Sequence, residues 1–160
     1  MIFEPTDNKS TWESKAQEIA KLDYNIIKNH LDELLVWLQD INWPGAKIIA
    51  DLLTTIGKPL IPSIKKVLKT DDGMWIYWIF EEIINNWSKE LIIEIKDELI
   101  LLTNKIDYEG VFIKALKILR ENELIDNDKF NEIFQNLSFG VKNTLDLFKE
   151  FYDDLKSLEN

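Results

Sequence analysis

Apolar residues recur along this chain at intervals of three and four positions, the spacing that gathers side chains on one face of an α-helix. Stretches in which apolar and polar residues alternate, the pattern of a half-buried strand, do not persist. The run Ser10–Glu13 forms a capping box and predicts a first helix that ends near Leu22. Pro44 suits the first turn of a later helix, and Gly57 suits its C-terminal cap. The pattern predicts an all-α protein.

The apolar pattern repeats, because residues in the middle of the chain fall in register with residues 30 positions earlier. In the first helix of each predicted pair, the aligned residues are Leu60, Ile61, Ile64, Val67 and Leu68 with His30, Leu31, Leu34, Trp37 and Leu38. In the second helix they are Ile76, Ile79, Phe80 and Ile83 with Ala46, Ile49, Ala50 and Leu53. A looser third copy follows over residues 91–119, with a longer loop between its helices. Short helical repeats are typical of α-solenoids, with chance alignment in a helical bundle as the alternative.

The expected architecture is a single domain over residues 1–160 that forms a short α-solenoid of HEAT-like antiparallel helix pairs. Residues 10–120 would form the helical-repeat core, with an N-terminal helix ahead of the pairs. Residues 121–160 would form two C-terminal capping helices, the first ending near Gln135 and the second beginning at Ser138. The apolar residues of the last helix predict that it packs on the end of the stack.

The segment Leu35–Ala46 resembles a bacterial family pattern, L-x-W-L-Q-D-x-N-W-P-x-A. The likeness continues through Leu60-Ile61-Pro62, Val67-Leu68, Asp72, Trp75, Tyr77 and Trp78. The chain is similar to the domain-of-unknown-function family numbered five-zero-seven-one over about Phe3 to Leu119. The resemblance implies a HEAT-like helical fold and carries no activity. Gly73-Met74 and the segment after residue 120 depart from the family pattern.

Composition and charge narrow the functional classes. The chain has no cysteine, which excludes disulfides, thiolate metal sites and cysteine catalysis. Its net charge of −10 and single arginine, Arg120, argue against nucleic-acid binding, which needs clustered basic residues. Neither a signal-like start nor an apolar run of membrane-spanning length is present, so we expect a cytoplasmic protein that does not bind membranes.

Aromatic and charged residues near the second helix of each pair form the candidate binding surface. Trp43, Trp75 and Trp78 lie close to Asp40, Asp71 and Asp72 in the preceding turns. A polar face that would line the concave side of the stack comprises Lys47, Asp51, Tyr77, Glu81, Glu82 and Asn85. Tryptophan and tyrosine are favoured at protein interfaces, and carboxylates beside them would select a basic partner. The alternative interpretation is structural: the tryptophans wedge between helix pairs, Asp72 caps a helix, and the polar face is merely solvated.

Residues suited to catalysis or metal binding do not form recognisable sets. His30 is the only histidine, and adjacent carboxylates such as Glu81-Glu82 point about 100° apart on a helix. The run Asp126-Asn127-Asp128 fails as a calcium loop because Phe130 and Asn131 stand where an oxygen ligand and glycine are required. No catalytic residue, metal ligand or cofactor is therefore predicted.

These observations favour a non-catalytic protein–protein interaction module with an acidic surface for a basic partner, for example an immunity or inhibitor protein. Two alternatives stay open. A helical-repeat enzyme with a pocket lined by Trp and Asp would need a carboxylate with a raised pKa, such as Asp72 or Glu81. A self-associating structural protein would form a homo-oligomer through apolar edges of the stack.

Overall fold

The computed structural model describes residues 2–6 and 8–157, and of residues 154, 155 and 157 the backbone alone. This part of the chain is helical and contains no strand, which confirms the all-α prediction. The α-helices are α1 (Trp12–Ile19), α2 (Tyr24–Ile27), α3 (Leu31–Leu35), α4 (Ala46–Thr54), α5 (Ile61–Val67), α6 (Gly73–Glu82), α7 (Lys89–Ile93), α8 (Lys96–Leu102), α9 (Val111–Glu121) and α10 (Asn127–Ser157). Short 3-10 segments lie at Lys9–Thr11, Val36–Gln39, Lys58–Leu60 and Ile84–Asn86.

The helix starts differ from the predicted ones. The capping box at Ser10 was wrong, because the Asn8 carboxamide accepts the Ser10 backbone N–H at 3.2 Å and begins a 3-10 turn ahead of α1. α1 then ends at Ile19 rather than Leu22. Pro44 precedes α4 instead of opening it, since Gly45 turns the backbone through φ +88° immediately before the helix.

The helix pairs bury the periodic apolar residues in one core. The apolar residues that align at an offset of 30 positions are buried in both copies of the sequence pattern. The exception is His30, whose ring stacks on Phe3. α3 packs against α4 and α5, while α6 contacts α4, α5 and α9. Trp37 and Phe80 are fully buried at the centre of this core. The apolar stripes therefore join consecutive helices rather than pointing into solvent.

Lysine–carboxylate pairs also connect consecutive helix pairs. Six of them join residues that lie 33 to 35 positions apart in the sequence. They are Asp32–Lys66, Lys47–Glu82, Lys65–Glu98, Asp71–Lys105, Glu81–Lys114 and Lys89–Glu123. These ion pairs connect helices and turns that lie about 34 residues apart along the chain.

The C-terminal segment corrects the prediction of two capping helices. α10 is one continuous helix of 31 residues, because no proline interrupts it and a glycine within a helix, here Gly140, costs only about 1 kcal/mol. Its first half packs on the body through the buried Ile133. Every described side chain from Val141 to Asp153 is exposed, so the second half does not cover the stack. Residues 158–160 of the predicted cap lie outside the described residues.

Candidate functional site

The structure distributes the predicted binding residues over several places. On the exposed face shared by α4 and α6, the Lys47 ammonium lies 2.5 Å from a Glu82 carboxylate oxygen and 3.3 Å from one of Asp51. The hydrogen bond to Glu82, aided by Asp51, raises the pKa of Lys47 above its ordinary value. These three residues do come together, but as an ion-pair cluster in which one ammonium group is shared by two carboxylates.

Tyr77 forms the centre of a second cluster on the same side. The Lys114 ammonium lies 4.3 Å from the centroid of the Tyr77 ring and pairs with the carboxylate of Glu81. The ring of Trp78 meets Tyr77 edge-on at 5.0 Å. Asn85 is exposed in the 3-10 segment that follows α6. Lys114 was not among the predicted residues, although it satisfies both the aromatic ring and the acid of this cluster.

The remaining tryptophans and aspartates make local structural contacts. The Trp75 indole N–H donates to the Leu35 carbonyl at 2.9 Å and ties α6 to the preceding helix pair. The ring of Trp43 packs edge-on against Trp12 at 5.2 Å. Asp72 caps α6 by accepting the Trp75 backbone N–H at 2.9 Å.

Asp40 has a similar local role in the turn before α4. Its carboxylate accepts the backbone N–H of Asn42 at 2.9 Å and the side-chain amide of the same residue at 3.0 Å. Like Asp72, it therefore organises a turn of the backbone.

A hollow of about 290 Å³ lies beside Trp75, and Asp32, Glu33 and Lys66 contribute to its wall. Hydrogen bonds from Lys66 and Ser63 lower the pKa of Asp32 below its ordinary value. The pocket enzyme considered above requires a carboxylate with a raised pKa, and Asp32 has the opposite shift. Trp43 and Trp78 do not line this hollow.

A larger groove of about 570 Å³ opens where the turn between α5 and α6 meets the loop between α8 and α9. Its floor is apolar and includes Leu68, Ile76, Leu102 and Val111. Four carboxylates and two ammonium groups also line it, namely Asp71, Glu98, Asp107 and Glu109 with Lys69 and Lys105. The groove therefore combines an apolar floor with an acidic excess.

The rim of this groove carries its most accessible groups. Tyr108 is 94% exposed, and the Asp71 side chain is 98% exposed while its carboxylate lies 3.3 Å from the Lys105 ammonium. Glu109 lies against the first residue of α6, since a Cβ atom built on Gly73 would meet its carboxylate oxygen at 2.5 Å. A carboxylate at a helix N-terminus is favourably placed. Asp107 accepts the backbone N–H groups of Val111 at 2.8 Å and Phe112 at 3.1 Å, so it fixes the start of α9.

Glu98 supplies a buried charge at the inner wall. Its side chain is 7% exposed, and Lys65 and Lys69 each lie 3.3 Å from one of its carboxylate oxygens. Burial acts to raise the pKa of Glu98, but the hydrogen bond from its own backbone N–H and the two lysines outweigh burial. The net effect is a pKa below the ordinary value of 4.5.

We expect Glu98→Gln to lower the free energy of unfolding at neutral pH by about 1–3 kcal/mol, because two lysines lose a buried partner. A carboxyl whose pKa is lowered by folding adds stability above its unfolded pKa and loses it as the pH falls through the folded value. The gap between wild type and variant should therefore narrow below pH 4.5. Denaturant unfolding at neutral and at acidic pH measures this difference in the free energy of unfolding, with the exposed Glu13→Gln as control. A difference that does not change with pH would contradict a lowered pKa of Glu98.

Sequence reasoning missed Tyr108, Glu109 and Lys114. The longer loop between the helices of the third pair was visible as a departure from the repeat, and Tyr108 lies within it between two acids. Within the described residues, three or more His, Asp or Glu side chains nowhere converge as a metal site. Among the same residues, none of the helices is both long and apolar enough to cross a bilayer.

The fold defines an all-helical protein, and a groove lies where the turn between α5 and α6 meets the loop between α8 and α9. The chain belongs to the family described as Domain of unknown function (DUF5071), whose model matches residues 6–110. This confirms the resemblance drawn from the Trp37–Ala46 motif, over a slightly shorter range than expected. α9 and α10 follow the matched region. The curated proteins contain no match to the chain.

Proposed function

We propose that this protein is a non-catalytic interaction module with a HEAT-like stack of helix pairs, and that its acidic groove binds a basic protein partner. The observation that carries the proposal is the rim of the groove, where the exposed Tyr108 stands beside Asp71 and Glu109 above an apolar floor.

The stacked arrangement has support from the contacts between helix pairs. In an α-solenoid each unit touches only its neighbours, so contacts recur at one repeat length. The lysine–carboxylate pairs lie 33 to 35 residues apart, a few more than the repeat of 30, so they support contacts between neighbouring units at a small offset from equivalent positions. The packing of α6 against both α4 and α9 fits this arrangement as well.

The groove suits a basic partner through its acids that lack a lysine partner. Asp71 and Glu98 in the groove pair with lysines of this chain, as Glu81 and Glu82 do on the face of α4 and α6. No lysine among the described residues forms an ion pair with Asp107 or Glu109. Among the residues that line the groove, carboxylates outnumber ammonium groups by four to two. An exposed tyrosine beside an apolar floor is the kind of residue that anchors protein interfaces, and the acids would favour lysine or arginine on the partner. A basic toxin would be one such partner, and this chain would then act as its immunity or inhibitor protein.

A pair of exposed substitutions tests this site. Wild type and the double variant Asp71→Lys/Tyr108→Ala would be used to capture proteins from a lysate of the source organism, with washes of increasing salt. We expect a basic protein that wild type retains at low salt and that the variant binds at least about tenfold more weakly, since an interface anchor contributes about 1.4 kcal/mol or more. The two side chains are almost fully exposed, so the fold should not suffer.

The matched control is the double variant Glu13→Lys/Tyr24→Ala. It makes the same change of charge in α1 and removes an exposed tyrosine from α2, and neither helix lines the groove. Asp72→Lys is unsuitable because it would also remove the cap of α6. Equal retention by the groove variant and the control would refute the proposed site.

A further inference from the structure

α10 carries an apolar stripe with an unusual symmetry. Its members are Phe130, Phe134, Leu137, Val141, Leu145, Phe148 and Tyr152. The intervals between them are four, three, four, four, three and four residues, which read the same in either direction from Val141. The side chains match as well: Leu137 mirrors Leu145, Phe134 mirrors Phe148, and an aromatic ring ends the stripe on both sides.

The body of the protein covers this stripe only in part. α10 packs on the body through Ile133 and through Gly140, where an added Cβ would lie 2.6 Å from Ile106 Cδ1. Successive residues of a helix are 100° apart, so Ile133 and Gly140 lie on one side of α10, about a quarter turn around its axis from the stripe. At 31 residues and 1.5 Å per residue, α10 is about 46 Å long. Its second half leaves Phe148 52% and Tyr152 58% exposed.

The middle of the stripe, from Phe134 to Leu145, forms one wall of an apolar groove of about 530 Å³. The other wall is the outer face of α9, with Phe112, Ile113 and Leu116. Polar groups are nearly absent from the lining, where Ser138 and Lys142 are the hydrophilic residues. Each copy of the chain thus has a helix-lined apolar groove along the middle of the stripe and exposed apolar residues beyond it, Phe148 and Tyr152.

We infer that α10 is a self-association surface, and that two copies of this chain pair their α10 helices antiparallel about a two-fold axis at Val141. In an isologous contact residue i meets residue j while j meets i, so the interface must be self-complementary. A stripe that reads the same from both ends meets this condition. Leu145 of the partner subunit then lies opposite Leu137, and Phe148 of the partner subunit opposite Phe134. An unrelated partner would impose no such symmetry.

The exposed part of the stripe supplies much of the area that a dimer needs. Phe134, Val141, Leu145, Phe148 and Tyr152 are 45% to 58% exposed. Large aromatic side chains bury about 150–250 Å² each when fully covered, so the three half-exposed aromatic residues alone supply roughly 300 Å² per copy. The aliphatic residues of the stripe and their neighbours would bring the total for two copies towards the roughly 1,000 Å² that a specific interface requires.

The intervals of the stripe add up to two repeats of 11 residues. Because an 11-residue repeat nearly matches three turns of an α-helix, the stripe runs almost parallel to the helix axis. A second helix can therefore contact the stripe along its whole length.

Cysteine crosslinking of the full chain tests the register, because wild type has no cysteine. Val141→Cys should give a disulfide-linked dimer under mild oxidation, since residue 141 meets its own copy at the axis. Leu137→Cys and Leu145→Cys should crosslink efficiently only when the two variants are mixed. Phe139→Cys, on the opposite face of α10, is the control and should stay unlinked. Self-linking of Leu137→Cys alone would indicate a parallel pair and overturn the inference.

Light scattering on wild type, without added partner, should give the mass of a dimer. Val141→Glu places two like charges at the axis and should yield a monomer, whereas Phe139→Glu should leave the dimer intact. Val141 is exposed in the single chain, so loss of the dimer should occur without loss of helical signal. A monomeric wild type, or a dimer that survives Val141→Glu, would contradict the proposal and leave α10 to a different partner.

Discussion

Trp37→Ala is expected to lower the free energy of unfolding by about 3–5 kcal/mol, enough to consume much of the stability of an ordinary domain. The side chain of Trp37 is fully buried, and its indole N–H donates to the Phe3 carbonyl at 2.7 Å. The substitution would leave a large cavity and detach the N-terminal segment, whose Phe3 is itself buried. Urea unfolding followed by circular dichroism measures the loss.

Two conservative changes separate the hydrogen bond from the cavity. Trp37→Phe keeps an aromatic ring but leaves the Phe3 carbonyl without its donor, at a cost of about 1–3 kcal/mol beyond the lost volume. The buried indole N–H of Trp87 has no acceptor among the described residues, so Trp87→Phe should lose volume only. If both substitutions cost the same, the bond to Phe3 does not anchor the N-terminal segment.

Gly45→Ala is expected to destabilise the protein by about 2–5 kcal/mol. Gly45 has φ +88°, a conformation that costs a residue with a side chain about 1–2 kcal/mol. A Cβ atom there would also lie 2.6 Å from Ala16 Cβ and 3.0 Å from the Trp12 carbonyl oxygen. Because both neighbours are fixed parts of α1, the overlap should add about 1–3 kcal/mol by pushing α1 away from α4.

Gly110→Ala is the matched control for Gly45→Ala. Gly110 also has a left-handed backbone, with φ +72°, but nothing lies within 4 Å of an added Cβ. It should therefore cost only the conformational part, about 1–2 kcal/mol. Equal losses in thermal unfolding of the two variants would mean that α1 and α4 do not approach as closely as the structure indicates.

The sequence was sufficient to predict the helical class and the residues of the core. Helical periodicity is a local signal, and positions such as Leu34, Ile64 and Ile79 are buried where their spacing places them. The family resemblance was also readable, because its motif lies in one continuous segment.

Other features depend on interactions that a one-dimensional pattern does not contain. The region between Asp23 and Gln39, where apolar residues recur at helical spacing, is divided into α2, α3 and a 3-10 segment, and the periodic pattern does not mark these breaks. The acidic groove needs the loop around Tyr108 to meet the turn at Asp71, and these residues lie more than a repeat apart in sequence. The continuity of α10 was missed because Ser138 has the character of a helix cap, yet a serine within a helix costs only a few tenths of a kcal/mol.

The two proposed surfaces lie on different parts of the chain. The acidic groove is formed by the turn that follows α5, by α6 and α8, by the loop that follows α8 and by the first residue of α9. The symmetric stripe lies on α10, beyond the region that the family shares. If both proposals hold, a dimer through α10 would present two copies of the acidic groove, and a partner with two basic segments would gain avidity from both.

The most direct test of the interaction proposal is hydrogen exchange of the full chain with and without the captured partner, at one protein concentration. We expect slower exchange in residues 68–73 and 103–111, the segments that border the groove, and unchanged exchange in α1. Protection confined to other helices, with those two segments unaffected, would contradict the assignment of the groove as the binding site.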